Sequence, residues 1–169
     1  MSHPANTPVR TGQSKLMFTL FTVVAAATAA LAAGSSLLLT LPVWAMFVGW
    51  VAFFSRGLTL RDGLVNFGCV LMGIAFGMGA APSIGALAPS LGLFALPLVV
   101  FVVAMIVVSL RGLKVMNNIV AYFLGLIAYF ASHLEPSLES FTELGAAGAI
   151  GSFAGWLSHA VQQHLPRRA

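Results

Sequence analysis

Apolar residues fall in this chain into six blocks separated by short polar segments. Each block is close to the roughly 20 residues that a helix needs to cross a bilayer, and the blocks contain almost no charged residue. This pattern predicts an all-α fold, a polytopic membrane protein with six transmembrane helices. The predicted helices 1 to 6 cover residues 16–33, 37–54, 63–80, 91–110, 115–132 and 144–161.

Glycine, serine and proline mark the predicted boundaries between these helices. The Gly-Ser-Ser stretch at 34–36 predicts a turn, and residues 81–90, which contain Pro82 and Pro89, predict a loop. Pro42 leaves two possibilities for helix 2, because proline is tolerated in the first turn of a helix but not in its interior. Helix 2 is either a full span or a helix of about 13 residues that starts at Pro42, and broken helices of that kind line transporter sites.

One stretch of helix 2 recurs in helix 5, where residues 45–54 and 121–130 match without a gap. The identical pairs are Ala45 and Ala121, Phe47 and Phe123, Gly49 and Gly125, Ala52 and Ala128, and Phe54 and Phe130. Helices 3 and 6 add a second correspondence, which pairs Gly73 and Gly77 with Gly151 and Gly155. These matches indicate that the chain consists of two related halves.

Two halves of three helices each must have opposite orientations in a membrane, because three is an odd number. The expected architecture is therefore two inverted three-helix repeats, at about 16–80 and 91–161, related by a two-fold axis in the membrane plane. The alternative is that alanine, phenylalanine and glycine are frequent enough in this chain for the matches to arise by chance.

Composition agrees with a membrane location. Hydrophobic residues make up 59% of the 169 and charged residues only 7%, whereas a soluble domain carries about 25% charged residues. The formal net charge of +4 comes from basic residues scattered between apolar blocks, which is typical of topology signals and not of a surface that binds nucleic acid. A single cysteine, Cys69, excludes an intrachain disulfide and a multi-cysteine metal site.

All basic residues fall on one side of the six-helix topology. They are Arg10, Lys15, Arg56, Arg61, Arg111, Lys114, Arg167 and Arg168. The positive-inside rule then places both termini of a multi-pass membrane protein in the cytoplasm. The expected organisation is a polar cytoplasmic segment at 1–15, a transmembrane domain at 16–161 and a cytoplasmic tail at 162–169.

The sequence contains no recognisable catalytic or metal-binding pattern. Its four histidines form no paired ligand motif, and it has no nucleophile, phosphate-loop or dinucleotide motif. We therefore expect a protein that is not an enzyme and that uses no metal or cofactor. Ionisable residues occur only near the ends of the predicted helices, which argues against a proton pump and fits a neutral solute or no transport at all.

Aromatic pairs next to hydroxyl residues are the candidate functional feature. A narrow path lined by rings and a few hydroxyls selects solutes by diameter and hydrogen bonding. The candidate path residues are Phe53, Phe54, Ser55, Asn66, Tyr129, Phe130 and Ser132. The alternative is that the rings are core or lipid-facing residues near the interface and that Asn66 bonds to a neighbouring helix.

Glycines are the candidate helix-packing residues, since they let two backbones come close. They are Gly49, Gly73, Gly77, Gly125, Gly151 and Gly155. Gly49 and Gly125 are expected where helices 2 and 5 approach each other. Glycine faces on both helix 3 and helix 6 also predict a homo-oligomer, because they offer more close-packing surface than one interface needs.

Two functions from different classes fit these features. The first is a small-solute channel or facilitator that passes a small neutral polar molecule between the two repeats. The second is a non-transporting structural or accessory membrane protein that binds a partner. A continuous polar track between helices 2, 3, 5 and 6 would favour the first function, whereas a dry glycine-packed interior with an exposed groove would favour the second.

The segment from about Val43 to Trp156 resembles a known group of sequences. The shared features are Phe47-Val-Gly49, Ala52-Phe-Phe54, Phe123-Leu-Gly125 and Ala128-Tyr-Phe130. On these residues the chain is similar to the YcdZ-like family of small bacterial inner-membrane proteins of unknown function, from which it departs by a longer polar N-terminus. The resemblance implies a membrane location and the number of spans, and it implies no activity or site residue.

Overall fold

The computed structural model describes residues 11–165, which are helical and contain no strand. The prediction of an all-α fold is confirmed over this part of the chain. The helices are α1 (Thr11–Leu38), α2 (Val43–Ser55), α3 (Leu60–Leu91), α4 (Ala95–Ser109), α5 (Ile119–Ser132) and α6 (Leu138–His164). Most of the predicted N-terminal segment 1–15 lies outside the described residues, as does the end of the tail at 162–169.

α1 continues through residues 34–36, so the predicted turn at this point is wrong. Within the helix, the hydroxyl of Ser35 donates to the carbonyl of Leu31 in the preceding turn at 2.8 Å. The chain turns instead just before Pro42, where Thr40 has a positive φ of 57°.

α2 begins after Pro42 and contains 13 residues, so the shorter of the two possibilities for helix 2 is confirmed. α5 is also short, with 14 residues. It begins four residues later than predicted because Asn118 serves as its N-cap, accepting from the N–H of Ala121 at 3.4 Å. Both helices are about 20 Å long, shorter than a bilayer core.

α3 has 32 residues and includes the segment 81–90, so the predicted loop is wrong as well. Pro82 and Pro89 lie inside the helix, which ends after Leu91 at Gly92, a residue with a φ of 53°. A 3₁₀ turn at Gly92–Phe94 then leads into α4. α4 packs against α3, and tertiary packing commonly outweighs a low helix propensity.

α6 has 27 residues and begins six residues before its predicted start, because Ser137 caps it by accepting from the N–H of Ser140 at 3.1 Å. The most extensive helix contacts pair α2 with α6 and α5 with α3. α1 packs on α6, and α4 packs on α3. α3 and α6 also touch each other, as do the short helices α2 and α5.

Two helical segments within the described residues are long and apolar enough to cross a membrane. They are Lys15–Leu38, with a mean hydropathy of 2.1, and Leu60–Gly112, with a mean hydropathy of 3.0. Little of either segment is buried inside the chain. Length and composition alone make these segments compatible with a membrane location.

Candidate functional site

Two asparagines meet inside the protein where α2 ends, α3 begins and α5 begins. Asn66 has no exposed surface, and Asn118 is 5% exposed. Asn118 Nδ2 donates to Asn66 Oδ1 at 2.8 Å and to Ser55 Oγ at 2.7 Å. We call Ser55, Asn66 and Asn118 the buried polar cluster.

The buried polar cluster satisfies backbone groups that the helix ends leave free. The last carbonyls of a helix have no partner within it, and Asn66 Nδ2 donates to the carbonyl of Arg56 at 2.6 Å, just beyond α2. Asn118 Oδ1 caps the start of α5. The two asparagines therefore connect the end of α2, the body of α3 and the start of α5 by hydrogen bonds. The amide oxygen and nitrogen of each side chain have a partner in this network.

Phe53 and Tyr129 are buried against glycines of other helices. A Cβ atom on Gly77 of α3 would lie 2.7 Å from the ring of Tyr129, and one on Gly155 of α6 would lie 3.2 Å from the ring of Phe53. The two rings therefore occupy the space that a side chain at Gly77 or Gly155 would need. The hydroxyl of Tyr129 has no hydrogen-bond partner among the described residues.

Phe54 and Phe130, in contrast, lie on the outside, with exposed fractions of 43% and 40%. The ring of Phe54 lies 5.9 Å, centroid to centroid, from the ring of Trp50 of the same helix, at an interplanar angle of 41°. Phe130 contacts the ring of Tyr129 edge-on at 5.6 Å. The four aromatic residues predicted to line a path thus lie at two different depths, two in the core and two at the surface.

The two predicted path serines bond mainly to their own helix ends. Ser55 Oγ donates to the carbonyl of Ala52 and Ser132 Oγ to that of Tyr129, both at 2.7 Å. Ser132 also accepts from the N–H of Leu134. Ser55 belongs to the buried polar cluster, whereas Ser132 caps the end of α5, so the structure does not bring the two hydroxyls together.

The predicted packing glycines lie at the contacts of α2 with α6 and of α5 with α3. Gly49 faces the backbone of Gly148, and Gly125 faces the backbone of Gly73, whose Cα would lie 2.9 Å from a Cβ on Gly125. Gly151 faces the backbone of α2 at Met46. Gly49 and Gly125 therefore lie against third helices, and the prediction that they mark the approach of α2 to α5 is wrong.

A basic pocket of about 200 Å³ lies between the α2–α3 connection and the segment that leads into α5. It is lined by Arg56, Arg61, Asp62, Val65, Lys114 and Val115. The guanidinium of Arg56 donates to Asn117 Oδ1 and to the carbonyl of Val115. Asp62 accepts from the hydroxyl of Thr59, the N-cap of α3.

Two apolar grooves open on the outside of the helix bundle. One, of about 390 Å³, lies between α3, α4 and α5 and includes Phe130. The other, of about 440 Å³, lies between α3 and α4. We call it the outer groove, and its central residues are Ala75, Gly79 and Ser83 of α3 and Leu98, Val102 and Ile106 of α4.

Sequence reasoning missed Asn118 as the hydrogen-bond partner of Asn66. The signal was present, since asparagine just before an apolar run is a common N-cap. The interhelix partner of such a cap depends on tertiary packing and has no local signal. Among the described residues no group of histidine, cysteine, aspartate and glutamate side chains could hold a metal ion.

Comparison with known proteins gives a family but no function. No curated protein and no solved structure matches the chain. A family model described as "Protein of unknown function (DUF1097)" matches residues 22–163, which include every predicted path and packing residue. This agrees with the expectation of a family of unknown function, while the likeness to YcdZ-like proteins stays an expectation. The chain belongs to the DUF1097 family.

Proposed function

We propose that this chain is a bacterial inner-membrane protein built from two inverted three-helix repeats, and that it acts as a structural or accessory component which assembles with a second copy of itself. The observation that carries this proposal is a closely packed interior combined with an open small-residue face on α3. The membrane location is supported by two long apolar segments whose surfaces are mostly exposed.

Equivalent glycine contacts in the two halves support the inverted repeat. A Cβ on Gly49 would meet the backbone of Gly148 on α6, and one on Gly125 would meet the backbone of Val70 on α3. Gly148 and Val70 occupy corresponding positions in the register that the glycines of α3 and α6 define. The short helix of each half thus packs against the long third helix of the other half.

The aromatic residues repeat the same arrangement. The ring of Phe53 covers Gly155, and the ring of Tyr129 covers Gly77. In the sequence alignment of the halves, Phe53 corresponds to Tyr129 and Gly155 to Gly77. Chance similarity between two apolar stretches would not place the corresponding residues in corresponding contacts, so these contacts favour a two-fold axis between the halves.

The interior supports a structural role over transport. α2 contacts α6, and α5 contacts α3, through glycines whose backbones leave no room for a side chain. Phe53 and Tyr129 close the remaining space with exposed fractions of 0% and 2%. This close packing of glycines and aromatic rings supports the structural or accessory role.

α3 carries two small-residue faces, and within residues 11–165 one of them packs closely against another helix. Gly73 and Gly77 lie against α5. On the outer groove, Ala75, Gly79 and Ser83 are spaced four residues apart and exposed, and a Cβ on Gly79 would have nothing within 4 Å. Small residues at this spacing let two transmembrane helices pack closely.

A second copy of the chain is the partner that this face fits. All copies insert with the same orientation, so a two-fold axis along the membrane normal places α3 of one copy parallel to α3 of its partner. Parallel pairs are the arrangement in which small residues four apart bring helices into contact, and two-fold dimers are the commonest closed assemblies.

Cross-linking tests this assembly directly. In a Cys69→Ala background, Ser83→Cys is expected to form a disulfide-linked dimer when membranes are oxidised, because Ser83 lies in the outer groove. Adding Gly79→Leu should reduce that dimer about tenfold, since a leucine separates the helices. The matched control is Gly85→Cys, also on α3 with open space around it. Equal cross-linking at both positions would contradict assembly through the outer groove.

A small-solute facilitator is the second candidate, favoured by the buried polar cluster and by the unpartnered hydroxyl of Tyr129. Polar groups inside a membrane domain face the interior of the helix bundle or a cavity, and they often line solute pathways. Stopped-flow light scattering of proteoliposomes with urea, glycerol and short amides decides between the candidates. The structural role predicts the permeability of empty liposomes for each solute. Protein-dependent flux that changes with Tyr129→Phe would establish the facilitator instead.

A further inference from the structure

The basic pocket between the α2–α3 connection and the start of α5 brings together three cationic side chains from two parts of the chain that are distant in sequence. Arg56 and Arg61 come from the first half, and Lys114 comes from the second. Among the residues that the structure describes, Asp62 is the one carboxylate that lines the pocket. The balance of charge in this small space is therefore positive.

The hydrogen bonds that hold Arg56 in place go to neutral acceptors and not to a carboxylate. The carboxylate of Asp62 accepts from the hydroxyl of Thr59 at 2.7 Å. The guanidinium of Arg56 is oriented by neutral oxygen atoms, the side chain of Asn117 and the carbonyl of Val115. Because Arg56 is fixed and its charge is not paired by these acceptors, the pocket is prepared for an anion.

We propose that the basic pocket binds the phosphate group of an anionic phospholipid. Guanidinium and ammonium groups together suit phosphate oxygens, and the volume of about 200 Å³ corresponds to roughly six or seven water molecules, which is space for one phosphate group. The inference rests on the proposed membrane location. In that arrangement the pocket lies at the cytoplasmic surface, where basic pockets between helices bind lipid head groups.

The lipid is favoured over free phosphate by the position of the pocket. Val65 and Val115 provide apolar walls beside the cationic groups. The exposed leucines Leu60 and Leu113 directly precede Arg61 and Lys114 in the sequence. An amphipathic ligand satisfies both kinds of surface, whereas inorganic phosphate satisfies only the charges.

Native mass spectrometry of the full-length protein, purified in neutral detergent, tests the proposal. Phosphatidylglycerol and phosphatidylcholine with identical acyl chains are added, and retention of each lipid is compared. The variant Arg61→Gln/Lys114→Gln removes two lining charges from exposed positions. The control Lys15→Gln/Arg111→Gln removes two exposed charges that do not line the pocket.

The unmodified protein is expected to retain phosphatidylglycerol in preference to phosphatidylcholine. In the pocket variant the ratio of retained phosphatidylglycerol to retained phosphatidylcholine should fall about tenfold, and in the control it should not change. Equal loss in both variants, or no preference in the unmodified protein, would overturn the proposal. Displacement of the lipid by millimolar inorganic phosphate, but not by chloride of equal ionic strength, would assign the pocket to free phosphate and overturn the lipid as its source.

Alkaline extraction of membranes separates failure of this inference from failure of the proposed function. A protein that stays in the membrane pellet but shows no lipid preference overturns the phosphate site alone. Release of the protein into the soluble fraction overturns the membrane location itself, and with it the ground for a lipid ligand.

Discussion

Replacing Gly49 by leucine is expected to destabilise the fold severely, and Gly125→Leu should do the same. At each position a side chain would meet the backbone of another helix, on Gly148 for the first and on Val70 for the second. A backbone cannot move aside as a flexible side chain can, so the helices must separate. We expect a loss of about 3 kcal/mol in the free energy of unfolding, the upper end of the usual cost of overpacking.

Thermal melting of the purified variants in one detergent measures this effect, with Gly85→Leu as the matched control. Gly85 lies within α3 and has open space around it. Leucine is favoured over glycine in a helix by up to about 1 kcal/mol. The melting temperature of the control should therefore be unchanged or slightly higher. A severe effect of Gly125→Leu with a neutral Gly49→Leu would contradict the equivalence of the two halves.

Removing the amide of Asn66 is the second change with a large expected effect. Asn66→Leu leaves Asn118 without one acceptor and the carbonyl of Arg56 without its 2.6 Å donor. Each buried polar group left unpaired costs about 1–3 kcal/mol. We therefore expect a lower melting temperature and a free energy of unfolding reduced by about 2 kcal/mol or more.

Variants of Asn118 separate the buried polar cluster from helix capping. Asn118→Ser keeps an N-cap oxygen but lacks the amide that donates to Asn66 and Ser55. Asn118→Ala loses the cap as well and should be less stable again by about 1 kcal/mol. In a double-mutant cycle with Asn66→Leu, the two changes should not add, because each breaks the same hydrogen bond. Strict additivity would show that the two asparagines act independently.

The sequence predicted the all-α fold of the described residues, because the apolar blocks are long and nearly free of charge. It also predicted the glycines that lie at close contacts. The internal match also pairs Phe53 with Tyr129, and the rings of these residues lie against Gly155 and Gly77. These features are encoded locally, in residue size and hydrophobicity.

The errors arise where tertiary packing outweighs local preference. Pro82 and Pro89 predict a loop, yet α3 continues through both and packs along α4. The partners of Gly49 and Gly125 were likewise misassigned, because a glycine shows that some backbone comes close but not which one. The packing of α2 against α6 and of α5 against α3 leaves no trace in a single sequence.

The buried polar cluster shows the same limit for the candidate site. Asn66 stood out as a polar residue in an apolar block, but its partner Asn118 lies 52 residues away. The basic pocket is also assembled from separate connections. A single sequence shows which residues are unusual for their surroundings, and the fold shows which of these residues contact each other.

The inverted membrane topology is tested most directly by cysteine accessibility in intact cells. Single cysteines are placed in a Cys69→Ala background at four exposed positions between the predicted spans, which are Leu58, Ser90, Leu113 and Glu135. An impermeant thiol reagent is added before or after permeabilisation. The inverted repeat predicts labelling of Ser90→Cys and Glu135→Cys from outside, and of Leu58→Cys and Leu113→Cys only after permeabilisation. Labelling of Leu58→Cys or Leu113→Cys in intact cells would contradict it.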